Sequence, residues 1–570
     1  MLSHTKISQA IKIAHNNANN NNKLNHTKIK DNICNSVDHI FKLLPKFTQY
    51  TNTISSDLIH NTSTFVKHLF TIKSTTKLSS TVTLRIYPLK KTNIFSSSHM
   101  EYIIPSYLDI FSQLLNNKEW LNTTTFTSEE ILELATLFSN SQDKDKTGNK
   151  TGDKTGNGND NSNGNKINDI YTYLDTHKVG NKLGDVFYSS LVNNKLPTTI
   201  LEQYPSIKLH RLLINDFTSW SIIANIESTM THVAIVSFTY EGTEYANSIY
   251  IFINEHTTTS SIANITKLAK AIVHRIIFYN KLLNTSRVPQ RFILYLTDLE
   301  KEFDNSVIAH KHFKTQNINS AVTNKQDIVI YRKQELFKSI FHELNHFHTM
   351  DFTTIPPTVL KHLIKTHNIA RTNTYLLYEC VTEALANVLN NIYLSRTILD
   401  FKSNFAKELR FSTMQVAKIL SISNYTKWND FAGNSMHIDA RKHFKQDSCV
   451  FSYYILKWYI LLAFPTYIVK CLDANTLKFN VNSHAHTAFN NLIKIFDAGR
   501  TNPLLSETID IILQLINTNK KTSNKRAAKR AAKKIVNKGT IGNITMQRRA
   551  TTLKLKEKQK LFSTLRMTCL

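Results

Sequence analysis

Cysteine is scarce in this chain, and its spacing excludes two kinds of structure. The 570 residues contain five cysteines, none of which forms a CxxC pair: Cys34, Cys380, Cys449, Cys471 and Cys569. An odd and dispersed set argues against a disulfide scaffold and against a thiolate zinc site, and it favours a reducing compartment. The sequence therefore predicts an intracellular, cytoplasmic protein, with the nucleus or a virion as alternative locations.

Long apolar runs are missing as well. The first residues lack the apolar core of a signal peptide. The longest apolar stretch is 458–469, which contains Pro465 and lies between Lys457 and Lys470. A bilayer requires about 20 apolar residues of helix. We therefore predict a buried helix at 458–469 and no membrane span.

Acidic residues are few relative to basic ones, and the imbalance is uneven along the chain. Lys and Arg number 70 against 42 Asp and Glu, a net charge of +28. Residues 520–570 hold 16 of the basic residues and one acid, a net +15, with basic pairs recurring every four residues at Lys525-Arg526, Lys529-Arg530 and Lys533-Lys534. On a helix these pairs would form one face suited to phosphates. This tail predicts a nonspecific nucleic-acid or other anionic partner, or a targeting signal.

Composition and periodicity divide the chain and predict its fold class. Strand-like segments precede mostly helical ones, which predicts an α+β fold with a small mixed sheet followed by a mainly helical C-terminal lobe. The length exceeds what one core usually organises, so two folded units are expected. The predicted regions are a disordered polar N-terminus (1–30), a mixed α/β region (31–140), a Lys/Thr/Gly/Asn-rich linker or loop insertion (141–168), a main domain (169–519) and a basic tail (520–570).

One motif carries recognisable chemistry. His342, Glu343 and His346 form HExxH within an amphipathic segment that begins near Gln334. Residues four apart on a helix differ by about 40° around its axis, so both imidazoles can meet one ion. Neutral imidazoles suit Zn²⁺, which would lower the pKa of a bound water and let Glu343 take its proton. The motif therefore predicts a zinc site.

The third ligand separates the classes of zinc enzyme. A metzincin requires HExxHxxGxxH, but Thr349 and Phe352 occupy the positions of the Gly and the last His. His348 points elsewhere on the helix and is better explained as a surface or supporting histidine, and Asp351 is the weaker of the acidic candidates. Glu379 and Glu383 lie four residues apart on a later helical stretch, hence on one face. These two glutamates are the leading candidates.

HExxH followed on a later helix by Glu-Ala-x-x-Asn resembles the gluzincins, the thermolysin-like superfamily of zinc metallopeptidases. The resemblance implies a zincin-like fold in which the first Glu is the third zinc ligand and the residue four positions later supports a ligating histidine. The preferred mapping makes Glu383 the ligand and Asn387 its support, where the family usually has Asp. The alternative mapping makes Glu379 the ligand and Glu383 its support.

The resemblance also implies further parts of the site. Gluzincins bind the substrate backbone along an edge strand beside the motif helix, a place that residues 319–322 could take. They also need a donor to the oxyanion, for which Tyr453 and Tyr454 are the candidates, with His437 and His443 behind them. Residues 290–460 are in addition similar to uncharacterised metallopeptidase-like proteins of large DNA viruses, through IVIYRKQELFKSIFHELNHF, YECVTEALANVL and VFSYYILK.

The sequence thus predicts a zinc metallopeptidase that acts on a peptide or protein substrate. Zn²⁺ would be bound by His342, His346 and one of the two glutamates, and Glu343 would activate water. The alternative hypothesis is a non-catalytic structural or nucleic-acid-associated protein, such as a virion component, that keeps the zincin fold.

Overall fold

The computed structural model describes the central part of the chain, with gaps at loops and at both ends. The described residues are 37–38, 40–76, 83–89, 107–123, 126–142, 174, 179–193, 195–204, 213, 218–238, 247–254, 259–289, 291–302, 312–324, 326–352, 354–369, 375–433, 444–473, 477–479, 485–517 and 565–569. The predictions made for residues 1–30, 143–168 and 525–534, and for His437 and His443, lie outside this part.

A six-stranded mixed sheet organises the first half of the described chain. Its spatial order is β1-β2-β3-β4-β7-β6; β3, β4 and β7 run parallel, and the other neighbouring pairs are antiparallel. A separate two-stranded ribbon pairs β5 with β8. The strands are β1 (Thr83–Pro88), β2 (His232–Phe238), β3 (Asn247–Ile253), β4 (Arg291–Tyr295), β5 (His312–Phe313), β6 (Ala321–Thr323), β7 (Asp327–Ile330) and β8 (Lys445–Gln446).

Helices make up most of the remaining described chain. Those before β2 are α1 (Pro45–Asn61), α2 (Ser63–Thr75), α3 (Tyr107–Leu115), α4 (Lys118–Asn122), α5 (Ser128–Gln142), α6 (Val179–Val192), α7 (Thr198–Gln203) and α8 (Trp220–Thr229). Among the strands lie α9 (Thr259–Leu283) and α10 (Thr315–Ile318). After β7 come α11 (Leu336–Phe347), α12 (Pro357–Thr366), α13 (Tyr378–Leu394), α14 (Ile398–Ile422), α15 (Trp428–Ala432), a π-helix (Phe451–Leu456), α16 (Lys457–Leu462), α17 (Phe464–Cys471), α18 (Ala485–Thr501) and α19 (503–517).

The sheet is covered on both faces, which explains its apolar strands. Alternate residues of β4 belong to different cores: Phe292 and Leu294 pack with α9 and α11, whereas Ile293 and Tyr295 pack with α3 and α8. A strand buried on both faces reads as a continuous apolar run, as RFILY in β4 does. The predicted α+β class and small mixed sheet are confirmed.

The chain before the predicted linker and the chain after it share these cores. β1 pairs antiparallel with β2, with Thr83 opposite Ser237. Helix α1 packs along α14, where Ser55 Oγ donates to the Lys402 carbonyl at 2.5 Å. Two neighbouring strands of one sheet, β1 and β2, therefore come from the chain before and after residues 141–168.

The apolar stretch predicted as a buried helix forms two short helices. α16 ends at Leu462 and α17 begins at Phe464, and Ala463 lies between them. All of α16 is buried, whereas α17 keeps Val469 exposed. Within the described residues no helix is both long and apolar enough to cross a bilayer. The four described cysteines are buried and form no disulfide.

Residues 565–569, which we call the strap, are the main departure from the predicted organisation. The sequence placed all of 520–570 in a tail outside the folded domain, but the strap lies in the core, with Leu565 fully buried and Met567 and Cys569 nearly so. Its apolar residues alternate with Arg566 and Thr568, a pattern typical of an extended segment. Five residues are too short a signal to stand out beside a net charge of +15.

Candidate metal centre

The motif helix α11 is fixed by the amphipathic pattern that the sequence showed. Leu336, Ile340, Phe341, Leu344 and Phe347 are all buried. They belong to the core that also contains the sheet strands and α9. The helix therefore cannot rotate without exposing this apolar band. The opposite side of α11 carries both motif histidines towards α13.

Three side-chain atoms converge where α11 meets α13. His342 Nε2 and His346 Nε2 are 3.2 Å apart. Glu379 Oε2, from the first turn of α13, lies 3.3 Å from each of these nitrogens. The three residues form a group whose donor set and spacing can hold a metal ion.

The triangle has the dimensions of a tetrahedral zinc site. Ligand atoms about 2.0–2.1 Å from a tetrahedral zinc lie about 3.3–3.4 Å from one another. Glu379 Oε2 is also buried without a hydrogen-bond donor among the described residues. A buried carboxylate oxygen is costly unless a cation or a donor satisfies it. Two imidazole nitrogens and one carboxylate oxygen at this spacing fit a metal ion.

Glu383 occupies a different position, one helical turn further along α13. Its Oε2 lies 2.8 Å from His342 Nδ1, and both of its oxygens accept from Lys338 Nζ at 2.7 and 2.9 Å. The geometry thus favours Glu379 as the third ligand over Glu383, which the sequence preferred. The arrangement matches the alternative, with Glu379 at the centre and Glu383 behind His342.

Each candidate ligand histidine has an acidic residue at its second nitrogen. Asp351, just past the end of α11, has its Oδ2 2.7 Å from His346 Nδ1, as Glu383 does for His342. A carboxylate at the far nitrogen fixes the orientation of a metal-ligating imidazole and raises its basicity. Asp351 therefore lies behind a ligand instead of serving as one.

The histidines and carboxylates of this cluster shift one another's pKa values. Burial opposes ionisation, but Glu379 and Asp351 outweigh it and raise the pKa of His346 well above its ordinary value, and Glu379 and Glu383 raise the pKa of His342. Burial would raise the pKa of Glu379, yet His346 and His342 lower it to about 2. Glu379 thus stays ionised and favours protons on the two imidazoles, and the same negative charge favours a cation.

Glu343 lies next to the three converging atoms and close to a strand of the sheet. Its Oε2 accepts a hydrogen bond of 2.6 Å from Thr323 Oγ1, and its Oε1 lies 4.0 Å from His342 Nε2. Thr323 ends β6, the outermost strand beside β7. The predicted edge strand is confirmed for Ala321 and Val322, and Thr323 extends it.

The two candidate tyrosines are consecutive residues of the π-helix, so their side chains point to different sides of it. The Tyr453 ring faces the cluster, 6.0 Å between centroids from His342, and burial followed by the charge of Glu379 raises its pKa well above the ordinary value. Tyr454 points to the other side, where burial and the charge of Glu335 raise its pKa. Only Tyr453 is positioned beside the three converging atoms.

Several residues near the centre were not anticipated. Lys338 lies four residues before His342 on the same face of α11, a spacing that could have revealed it. Thr323 could have been found only from the pairing of β6. His348 is neither a surface nor a supporting residue: it is buried against Tyr279, with ring centroids 5.3 Å apart, and burial lowers its pKa to about 4.

Asn387 does not support a histidine. Its Nδ2 donates to the Met567 carbonyl at 3.3 Å, which places it beside the strap.

Comparisons with protein-family models, with curated proteins and with solved structures find no match to this chain. The candidate site therefore stands on its geometry and donor chemistry.

Proposed function

We propose that this chain is a zinc-dependent metallopeptidase with a gluzincin-type site on a zincin-like fold. The observation that carries the proposal is the triangle of His342 Nε2, His346 Nε2 and Glu379 Oε2 with Glu343 beside it. A zinc ion held there would polarise a peptide carbonyl and lower the pKa of water towards 7. His346 keeps 20% of its side-chain surface exposed, so solvent reaches the cluster.

Glu343 is the proposed general base. It does not belong to the ligand triangle, and its Oε2 is positioned by Thr323. A base must lie within hydrogen-bond reach of the proton that it takes, and the fixed carboxylate meets that requirement for a water near His342. Glu343 would take the proton at its carboxylate and pass it to the leaving amine.

The edge strand β6 is the proposed platform for the substrate. Among the described strands it is the last one of the sheet, and it pairs with β7 on one side. An extended peptide can add to such an edge through main-chain hydrogen bonds. Thr323 at the end of β6 contacts Glu343, so a peptide aligned on this strand would pass the base and the metal ligands.

Tyr453 is the proposed donor to the oxyanion that develops on the attacked carbonyl. Its ring lies on the His342 side of the cluster. Its raised pKa keeps the phenol protonated at neutral pH, so the hydroxyl is available as a donor. Tyr454 is not assigned this role because it faces Glu335 and Lys457.

The decisive experiment measures zinc content and peptide hydrolysis in the same preparations. The unmodified protein should hold one equivalent of zinc and cleave an unstructured protein such as denatured casein. Glu343→Gln should keep the zinc and lose hydrolysis, and His346→Ala should lose both. Glu202→Gln, a change at an exposed position on α7, is the matched control and should behave like the unmodified protein.

Two results would contradict the proposal. Hydrolysis that continues at the same rate in Glu343→Gln would exclude this glutamate as the base. Purified protein that binds no zinc would exclude the metal centre. Zinc without hydrolysis of any tested peptide would support the non-catalytic alternative.

A further inference from the structure

The strap is bound by buried charged side chains that recognise its main chain. Glu335 Oε1 accepts the amide hydrogens of Met567 and Thr568, at 2.6 and 2.8 Å. Glu408 Oε2 accepts from Thr568 Oγ1 and the Cys569 amide, at 2.8 and 3.0 Å. Hydrogen bonds to ionised groups are stronger than neutral ones, and these four lie away from water. The strap is thus held as a bound peptide would be.

The strap also accepts hydrogen bonds from two helices that surround the metal centre. Lys457 Nζ, at the start of α16, donates to the Met567 carbonyl at 2.7 Å, and Asn387 of α13 donates to the same oxygen. Met567 Sδ lies 3.4 Å from Lys338 Nζ. One methionine of the strap therefore contacts α11, α13 and α16.

Glu335 connects the strap to the start of the motif helix. It is the N-cap of α11 and adopts φ 60° and ψ 22°, in the left-handed region that non-glycine residues rarely occupy. Such a conformation persists only where the surroundings hold it. Here the carboxylate is held by Lys301 Nζ at 2.9 Å and by the two strap amides.

A second connection reaches a ligand histidine. Met567 contacts Lys338, Lys338 donates to both oxygens of Glu383, and Glu383 lies beside His342 Nδ1. This route meets the imidazole at the nitrogen opposite the one that faces Glu379. These contacts therefore reach His342 at Nδ1 and leave Nε2 available to a metal ion.

We propose that the strap is a positioning element for the metal centre, which binds as a peptide to Glu335, Glu408 and Lys457 and aligns His342 through Glu335, Lys338 and Glu383. This inference rests on the metal centre proposed above. Partners behind a ligand typically change metal affinity by about 10- to 100-fold. We expect loss of the strap to weaken zinc binding by that factor. Linkage requires zinc to strengthen strap docking by the same factor.

The first test removes the strap and returns it as a separate peptide. A chain ending at residue 564 should bind zinc about 10- to 100-fold more weakly than the full chain in a chelator competition. A synthetic peptide of residues 561–570, LFSTLRMTCL, should restore the affinity under reducing conditions, and a scrambled peptide should not. A peptide with an ester in place of the Thr568 amide lacks one donor to Glu335 and should restore less.

The second test uses the full chain and does not depend on the truncated chain folding. Hydrogen exchange of the amides in the strap should be slow, and zinc should slow it further. His346→Ala is the control in which zinc should have no effect. Rapid exchange of the strap amides, or exchange that zinc leaves unchanged, would overturn the inference.

The outcomes distinguish this inference from the proposed function. A full chain that binds no zinc would overturn both the metal centre and the role of the strap. A full chain that binds zinc, together with a folded truncated chain of equal affinity, would overturn the role of the strap alone.

Discussion

Replacing Glu379 and Glu383 separately by Gln tests how the two carboxylates divide their roles. Glu379 offers an oxygen to both imidazoles at the nitrogens that face each other. Glu383 is fully buried and is paired with Lys338, whose side chain is 3% exposed. We expect the two substitutions to affect zinc affinity and the free energy of unfolding in opposite order.

The magnitudes follow from what each substitution leaves behind. Glu383→Gln removes the carboxylate that is hydrogen-bonded to the buried Lys338 ammonium, and removing one partner of such a pair costs about 3–5 kcal/mol. Its zinc affinity should fall only about 10- to 100-fold, the usual effect behind a ligand. Glu379→Gln leaves imidazoles that can release their protons near neutral pH, so its stability loss should be smaller. It removes a ligand, so its zinc affinity should fall further.

The assay pairs chelator competition for zinc with urea unfolding of the metal-free protein. Glu202→Gln on the exposed side of α7 is the control for both measurements. Stoichiometric zinc in Glu379→Gln together with complete loss of zinc in Glu383→Gln would refute the assignment of ligands. Equal stability losses in the two variants would refute the ion-pair argument.

Three further predictions concern pH and packing. Zinc affinity should rise with pH, by up to about two powers of ten per unit below the raised pKa of the ligand imidazoles, because binding displaces their protons; chelator competition across pH measures this. In the metal-free protein the His346–Glu379 pair should stabilise most between pH 4.5 and 6.5. Its contribution falls as pH drops towards the Glu379 pKa of about 2 or rises through the raised pKa of His346, and urea unfolding at several pH values checks both limits. Gly499→Ala should destabilise the protein by about 1–3 kcal/mol, because overpacking costs that much. The added Cβ would overlap the ring of Tyr459. Lys494→Ala, on the exposed side of the same helix, should change the free energy of unfolding by less than about 0.5 kcal/mol. A stable Gly499→Ala variant would show that Tyr459 can move aside.

Local patterns in the sequence predicted the elements that carry the site. The apolar band of α11 fixed its helical form and the side that it buries, and the four-residue spacing then placed His342 and His346 together. The parallel strands were recognisable from their uninterrupted apolar runs. These features depend on neighbours within a few positions, so one chain segment contains the whole signal.

The sequence by itself determined that two histidines and an adjacent glutamate share one helix, and that two glutamates share one face of another. Only the tertiary structure decided which glutamate meets the histidines, because Glu379 and Glu383 differ by one helical turn and the packing of α13 against α11 selects between them. The tertiary structure also decided that the strap lies in the core. Its binding groups Glu335, Glu408 and Lys457 are distant in sequence, and only the folded chain brings them together.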